Sequence, residues 1–261
     1  MCCAATFTLF PFDEGMSDYV QSYRKSPNPE AAFDRYFSID LDEFLSRARQ
    51  ADQQHSRAVL MAFFVHIAHD NPNLCIPFAN RLVSEARGEQ AAFGAEVLAY
   101  GATENRKESL VAIAEGFDLP TRALDTYISL DPFPYPQLRA TNWQALDILW
   151  ASYFASGNGQ YIQEIAEPLG EYQSGGPEFD SRLRSLSAQN PESGTPEHAA
   201  LVSMLTARAA YFGLVENAAV YPNILTTLEA LAAQNRGKVS EVSNEIVDQA
   251  RNRTQHIDST Q

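Results

Sequence analysis

The 261-residue sequence has few cysteines, and their positions match no known framework. Cys2 and Cys3 are adjacent at the start, and Cys75 is far away, so the three match no zinc-ligand spacing. Cys75 falls within a predicted helix, where a thiol behaves as a small core residue. The cysteines therefore argue against a disulfide scaffold and give no support to a zinc site.

Long apolar runs are also lacking. The opening MCCAATFTLFPF has no basic residue ahead of it and ends at Pro11 and Asp13, which makes it too short for a signal peptide or a membrane span. No later stretch is expected to cross a bilayer, and these features favour a cytoplasmic protein. If the opening is instead the remnant of an export segment, Cys2 or Cys3 would tether a periplasmic or lipid-anchored protein.

Catalytic motifs and basic charge are the remaining absences. The chain has no Gly-rich phosphate loop, no Gly-x-Ser-x-Gly, no Cys-x-x-Cys and no dinucleotide fingerprint. We therefore predict no cofactor and favour a protein that is not an enzyme. Lys and Arg total 19 against 33 Asp and Glu, a net charge of -14. This balance argues against nucleic acid or an anionic membrane as a partner. Solubility explains the acidity most simply, and the alternative is an acidic face that binds a basic protein.

What the sequence does contain is helical pattern. Residues 58–68 are apolar on nearly every side, which is typical of a buried helix. The run Asp70-Asn71-Pro72-Asn73 predicts a turn. A second helix follows, with Leu74, Phe78, Ala79 and Leu82 on one face. The stretch from His55 to Val83 is therefore predicted to be a helical hairpin.

Residues 141–169 have the same pattern, with Gly157-Asn158-Gly159-Gln160 at the turn. Aligning the two segments pairs apolar residues throughout: Val59 with Leu146, Phe63 with Trp150, Ile67 with Phe154, Leu74 with Tyr161, Phe78 with Ile165, Ala79 with Ala166 and Leu82 with Leu169. One hairpin used twice is the simplest explanation, and convergent amphipathicity is the alternative. The spacing between such segments is not uniform, so no fixed-period repeat is predicted.

The domain organisation follows from proline and glycine. Because Pro132, Pro134 and Pro136 alternate with other residues, the segment 131–140 is predicted to be an extended connector and the best internal boundary. The full prediction is an arm at 1–28, helical hairpins at 29–130, the connector, further hairpins at 141–252 and a tail at 253–261. A mobile loop is predicted at 170–195, with a short helix from Phe179 to Leu186. We expect one continuous helical domain.

Helix starts are marked by capping residues. The run Ser26-Pro27-Asn28-Pro29-Glu30 is a helix-start signal, Asp40 opens a capping box, and Thr195 is a cap followed by Pro196 at the first helical position.

Three segments carry a family resemblance: FFVHIAHDNP, LDILWASYFASGNGQYIQEI and LVENAAVYPNILTTLEAL. They resemble a family of uncharacterised bacterial all-helical proteins, from about Ala31 to Ala233, and the second segment is the most specific. The arrangement is also similar to TPR-like and HEAT-like solenoids, although the TPR consensus residues are not met. The resemblance implies an all-helical fold and a bacterial origin, and it implies no activity or functional residue.

Two histidines form the only candidate metal pair. His66 and His69 are three residues apart on one helix, with Asp70 beside them. No third ligand is marked, and His69 also suits the last turn of a helix as a cation. We therefore predict no metal site. If one exists, these three residues are its candidate ligands.

The candidate ligand-binding residues centre on a helix that carries both tryptophans. Trp143, Asp147 and Trp150 share a helical face, and a carboxylate among indoles has a raised pKa unless it is paired. Asp147 is thus either an acid/base group or the partner of an arginine or amide, and Glu96 has the same two interpretations. Asn217, between two apolar helices, either clamps backbone groups between hairpins or lines a groove.

These observations predict an all-α protein of stacked antiparallel hairpins, either solenoid-like or an irregular bundle. The favoured function is a non-catalytic protein-binding or scaffold protein that uses a surface or groove between hairpins. The alternative is a small-ligand binder or enzyme with a pocket near His66, Trp143, Asp147 and Trp150. The partner's identity and the oligomeric state are not predicted.

Overall fold

A computed structural model describes most of the chain. The described residues are 14–43, 50–102, 104–119, 125, 127–128, 138–172, 177–234 and 237–258. Within these ranges the secondary structure is helical and contains no strand, which confirms the all-α fold class.

The chain divides into two compact units. The N-terminal unit contains residues 1–137 and 154–157, and the C-terminal unit contains residues 138–153 and 158–261. The division at 137/138 falls inside the predicted connector, of which residues 131–137 lie outside the described part. A single continuous helical domain stays a prediction.

Six α-helices and one 3₁₀ turn are described in the N-terminal unit. They are α1 (Glu14–Tyr23), α2 (Pro29–Phe37), α3 (Gln50–Asp70), the 3₁₀ turn Pro72–Leu74, α4 (Cys75–Glu85), α5 (Gly88–Gly101) and α6 (Arg106–Gly116). The backbone N–H of Ala31 donates to the Asn28 side chain at 3.0 Å, so Asn28 caps α2 as predicted.

The beginning of the chain, the helix predicted after Asp40 and the segment before the connector are described only in part. Residues 1–13 of the predicted arm lie outside the described residues, and α1 begins directly after them. The N–H of Glu43 donates to Oδ1 of Asp40 at 2.8 Å, which confirms Asp40 as a cap, although residues 44–49 lie outside the described part. The segment from Pro120 to Leu130 is likewise mostly outside the described part.

The predicted buried helix is confirmed. In α3 every residue from Val59 to Ala68 is buried. The helix ends where Nδ2 of Asn71 donates to the carbonyl of Ile67 at 2.8 Å, and the 3₁₀ turn then leads into α4. Cys75 is buried as predicted, and burial raises the pKa of its thiol to about 11, so the thiol stays protonated at neutral pH.

Helix packing in this unit joins elements that are two apart in sequence. α3 packs along α5, and α4 packs along α6, while α5 also contacts both α4 and α6. Aromatic rings bring α2 into the core: Phe33 stacks on Phe78 of α4 with centroids 4.3 Å apart, and Tyr36 lies edge-on to the same ring at 5.0 Å. A solenoid arrangement stays a prediction.

The C-terminal unit is organised around one long helix. Its elements are α7 (Trp143–Ser156, the last three residues grouped with the N-terminal unit), α8 (Gly159–Ala166), the 3₁₀ turn Glu167–Glu171, α9 (Pro177–Gln189), α10 (Pro196–Ala218), α11 (Pro222–Ala233) and α12 (Lys238–Asp258). Within this unit α10 contacts α8, the 3₁₀ turn, α9, α11 and α12, so it forms the centre of the unit.

Two segments of this unit are more helical than predicted. The segment 170–195 was predicted as a loop with a short helix, and it contains the 13-residue α9. Glu178 and Asp180 in the first turn suit the positive end of the helix dipole, and Phe179 and Leu183 are buried four residues apart.

The C-terminal tail was also predicted too long. α12 continues to Asp258, so residues 253–258 are helical and only 259–261 lie outside the described part. Arg251 extends the packing of this helix, because its Nη2 lies 2.7 Å from Oε1 of Glu229 in α11.

α10 also bears on the prediction that the chain has no membrane span. Among the helices described, it alone has the length and apolar composition of a bilayer-spanning segment, although no stretch of the sequence was predicted to cross a bilayer. Of its apolar window, 44% is buried in the structure, and a core helix passes the same test of composition. The absence of a membrane span therefore stays a prediction.

Candidate binding groove

Three segments of the C-terminal unit surround an open groove of about 430 Å³. They are the residues just before α7, the end of α8 with the following 3₁₀ turn, and the N-terminal half of α10. The lining residues are Arg139, Ala140, Thr141, Glu164, Glu167, Pro168, His198, Ala199, Val202, Ser203 and Thr206. We call this the α7–α8–α10 groove.

Capping fixes where α10 begins and hence which residues face the groove. Oγ1 of Thr195 accepts a hydrogen bond from the N–H of His198 at 3.2 Å, and Pro196 occupies the first helical position. From this start, residues 198, 199, 202, 203 and 206 fall on one side of the helix. The cap predicted from the sequence thus determines one wall of the groove.

A second cap shapes the wall ahead of α7. The N–H of Ala145 donates to Oδ1 of Asn142 at 2.8 Å, so the helix starts there and residues 139–141 stay outside it. The N–H of Thr141 donates to the carbonyl of Arg139 at 2.8 Å, which makes a tight bend. The bend leaves the Arg139 side chain beside α8.

An ion pair joins two walls of the groove. Nη1 of Arg139 lies 2.9 Å from Oε1 of Glu164. The arginine side chain is 57% exposed and the glutamate side chain only 25%, so the carboxylate is the more buried partner. Burial raises the pKa of the Glu164 carboxyl, Arg139 opposes that rise, and the nearby Glu167 carboxylate adds to it.

The second oxygen of Glu164 is the unusual feature of this groove. Oε2 is buried, and it receives no hydrogen bond from any residue that the structure describes. The neighbouring wall is partly apolar, with Pro168, Ala199 and Val202. The groove therefore offers a buried acceptor beside apolar surface.

The predicted tryptophan cluster divides between core and surface. Trp150 is 1% exposed and lies edge-on to Tyr153 with ring centroids 6.2 Å apart, whereas Trp143 is 46% exposed. Asp147 between them is half-buried. The residues lining the groove do not include these three, although Trp143 follows Thr141 by two positions.

Asn217 is buried, as a clamping residue would be, but it binds its own helix. Its side-chain Nδ2 donates to the carbonyl of Gly213 at 2.8 Å, and its backbone carbonyl accepts from the N–H of Tyr221 at 2.8 Å. These bonds close the C-terminal end of α10. In the described contacts its side chain binds within one helix, not between hairpins as one interpretation predicted.

His66 belongs to the N-terminal unit, whereas the other predicted ligand-binding residues belong to the C-terminal unit. It is fully buried in α3, and burial lowers its pKa well below 6.5, with a smaller effect from His69. His69 and Asp70 are exposed. In the part of the chain that is described, no three His, Cys, Asp or Glu side chains are placed to hold a metal ion.

Glu96 has the arginine partner that one of its two interpretations predicted. Oε2 of Glu96 lies 2.8 Å from Nη2 of Arg57. The Arg57 guanidinium also lies over the ring of Phe93, 4.8 Å from its centroid. The carboxylate is therefore engaged in a structural ion pair.

The charged residues of the groove were not singled out in the sequence. Arg139, Glu164, Glu167 and His198 come from three separate segments, and none belongs to a recognisable motif. Near them, only the cap Thr195 is predicted from the sequence. It marks where α10 starts but not which segments share a groove with it, and the Asn142 cap is not predicted.

No protein-family model, curated protein or solved structure matches this chain.

Proposed function

We propose that this protein is a non-catalytic protein-binding protein and that the α7–α8–α10 groove is its binding surface. The observation that carries the proposal is the groove itself, which is open, spans three segments and combines apolar and charged walls. Interfaces between proteins commonly pair a partly apolar centre with a polar rim.

The surface beside the groove supports the same function. Leu205 and Phe212 are exposed on α10, and the guanidinium of Arg208 lies 5.8 Å from the centroid of the Phe212 ring. Leu205 is three residues from the groove residue Val202, so the two side chains are neighbours on the helix. Aromatic residues and arginine are enriched at binding interfaces.

The Thr206 hydroxyl is not placed as a catalytic nucleophile. Oγ1 of Thr206 donates to the carbonyl of Val202 at 2.8 Å, so that hydroxyl is engaged with the helix backbone. A nucleophilic hydroxyl would instead donate to a general base. We therefore favour a groove that binds a partner over one that transforms a substrate.

Photo-crosslinking from the groove tests the proposal. A photoreactive phenylalanine derivative replaces Ser203 in the groove or, as the control, Asn244, which is exposed on α12. In cells of the source organism we expect a crosslinked protein from position 203 that position 244 does not capture. That protein, once purified, must bind the wild-type chain saturably. Equal crosslinking from both positions, or no saturable binding, would contradict the proposal.

A further inference from the structure

We propose that the α7–α8–α10 groove takes a segment of a partner protein that carries a lysine or arginine side chain, whose N–H groups bind the carboxylate of Glu164. This inference rests on the proposed function and names the chemistry of the partner.

The first argument is hydrogen bonding. Oε1 of Glu164 is paired with Arg139 at 2.9 Å, and Oε2 is buried with no donor among the described residues. An ionised carboxylate only accepts hydrogen bonds, so the group that satisfies Oε2 must be a donor. A charged donor gives the shorter and stronger bond.

The second argument is charge. Glu164 is a carboxylate that lines the groove. It would repel a carboxylate or phosphate of a partner and attract a cation. The net charge of -14 also favours approach of a basic partner.

The third argument is shape. Pro168, Ala199 and Val202 give the groove apolar surface close to the carboxylates. Lysine and arginine side chains pack their methylene stems on apolar surface while the charged end stays with polar groups. The same groove therefore suits both parts of such a side chain.

Peptide selection tests the inference with a defined probe. A phage library of random peptides is panned against the full wild-type chain, after depletion on the Ala199→Trp variant, in which the indole fills the groove. The enriched peptides are synthesised, and their affinity is measured by calorimetry. We expect the enriched peptides to share a lysine or arginine.

Two variants that break the same ion pair give opposite predictions. Glu164→Gln removes the acceptor charge and should weaken binding of the selected peptide at least about tenfold. Arg139→Gln removes the competing cation and should strengthen it. Glu229→Gln breaks the exposed ion pair with Arg251 away from the groove and should leave the affinity unchanged.

The outcomes separate the two proposals. Enriched peptides without a basic residue, or equal affinities for Glu164→Gln and Glu229→Gln, would overturn the basic partner while the groove remains a binding surface. No enrichment over the Ala199→Trp variant would overturn the proposed function itself. If Glu164→Gln does not fold, Arg139→Gln decides alone, because weaker or unchanged binding in that variant contradicts the inference.

Discussion

Gly101 of α5 packs directly against the backbone of Val65 in α3. A Cβ atom at position 101 would lie 2.6 Å from the Val65 carbonyl oxygen and 3.0 Å from Cβ of Ala68. Neither neighbour is the end of a flexible side chain, so the two helices must separate to admit a methyl group. The absence of a side chain at position 101 therefore sets how closely α3 and α5 approach.

Gly101→Ala should lower the free energy of unfolding by about 1–3 kcal/mol, since overpacking against a fixed backbone costs that much. Urea unfolding of the two proteins measures the change. Gly170→Ala is the control, because a Cβ there would meet only Cγ2 of Val239 at an ordinary 3.7 Å. Equal stability of Gly101→Ala and the wild type would show that the helices separate freely.

This contact shows where prediction from the sequence stops. The apolar run of α3 and the Asn71-Pro72 turn predict the helices and where they end. They do not predict that α3 packs along α5, because the contact depends on a glycine whose role appears only when the helices are placed together.

The same limit applies to the groove. Thr195 predicts a helix start and its cap is present, whereas the Asn142 cap was not predicted. Arg139 and Glu164 are 25 residues apart in the chain, and their pairing depends on where the segment before α7 lies beside α8. The two tryptophans were predicted to line a pocket because they share a helical face with Asp147, and Trp150 is a core residue.

Stability should depend on the protonation of His66. Burial holds its folded pKa well below 6.5, so the unfolded chain binds a proton more readily than the folded one. The contribution of this group is therefore fully present above 6.5 and is lost as the pH falls below it, by at most about 1.4 kcal/mol per pH unit.

Unfolding free energies of the wild type and His66→Gln, measured between about pH 8 and 5, check this dependence. The variant should lose much of the decline at acid pH, whereas His69→Gln, at an exposed position, should keep it. If all three proteins decline in parallel, His66 is not the responsible group.

Tyr211 and Glu245 should stabilise the C-terminal unit as a pair. The Tyr211 hydroxyl donates to Oε1 of Glu245 at 2.6 Å, and Nε2 of Gln249 donates to that hydroxyl at 2.7 Å. Burial, and next the bond to Glu245, raise the pKa of Tyr211, which keeps it protonated as a donor. Tyr211→Phe should cost about 1–3 kcal/mol.

A double-mutant cycle with Glu245→Gln isolates this interaction. We expect a coupling free energy of about 0.5–3 kcal/mol between the two positions, as for other residues in direct contact. Additive effects of the two substitutions would mean that the hydrogen bond contributes nothing to stability.

Binding of a basic peptide should weaken as the pH falls. The pKa of Glu164 is raised, by burial first and by Glu167, against the opposing effect of Arg139. Glu164 therefore loses its charge at a higher pH than an ordinary glutamate, and the cationic ligand loses its partner. Because the raised pKa favours the protonated folded state, this group's contribution to stability increases over the same fall in pH.

Calorimetry checks the effect by measuring the affinity of the selected peptide at decreasing pH. Glu164→Gln should flatten the dependence, and His198→Gln controls for the imidazole that lines the same groove. A dependence that survives in Glu164→Gln and disappears in His198→Gln would assign the effect to the histidine instead.

The affinity of Ala199→Trp for the crosslinked partner or the selected peptide tests the central claim most directly. Ala199 lines the groove, and Ala230 is an exposed residue of α11 in the same unit, so Ala230→Trp adds the same indole elsewhere. If the α7–α8–α10 groove is the binding surface, Ala199→Trp should lose affinity at least about tenfold and Ala230→Trp should lose none. Equal affinities for the two folded variants would place the binding surface outside the groove.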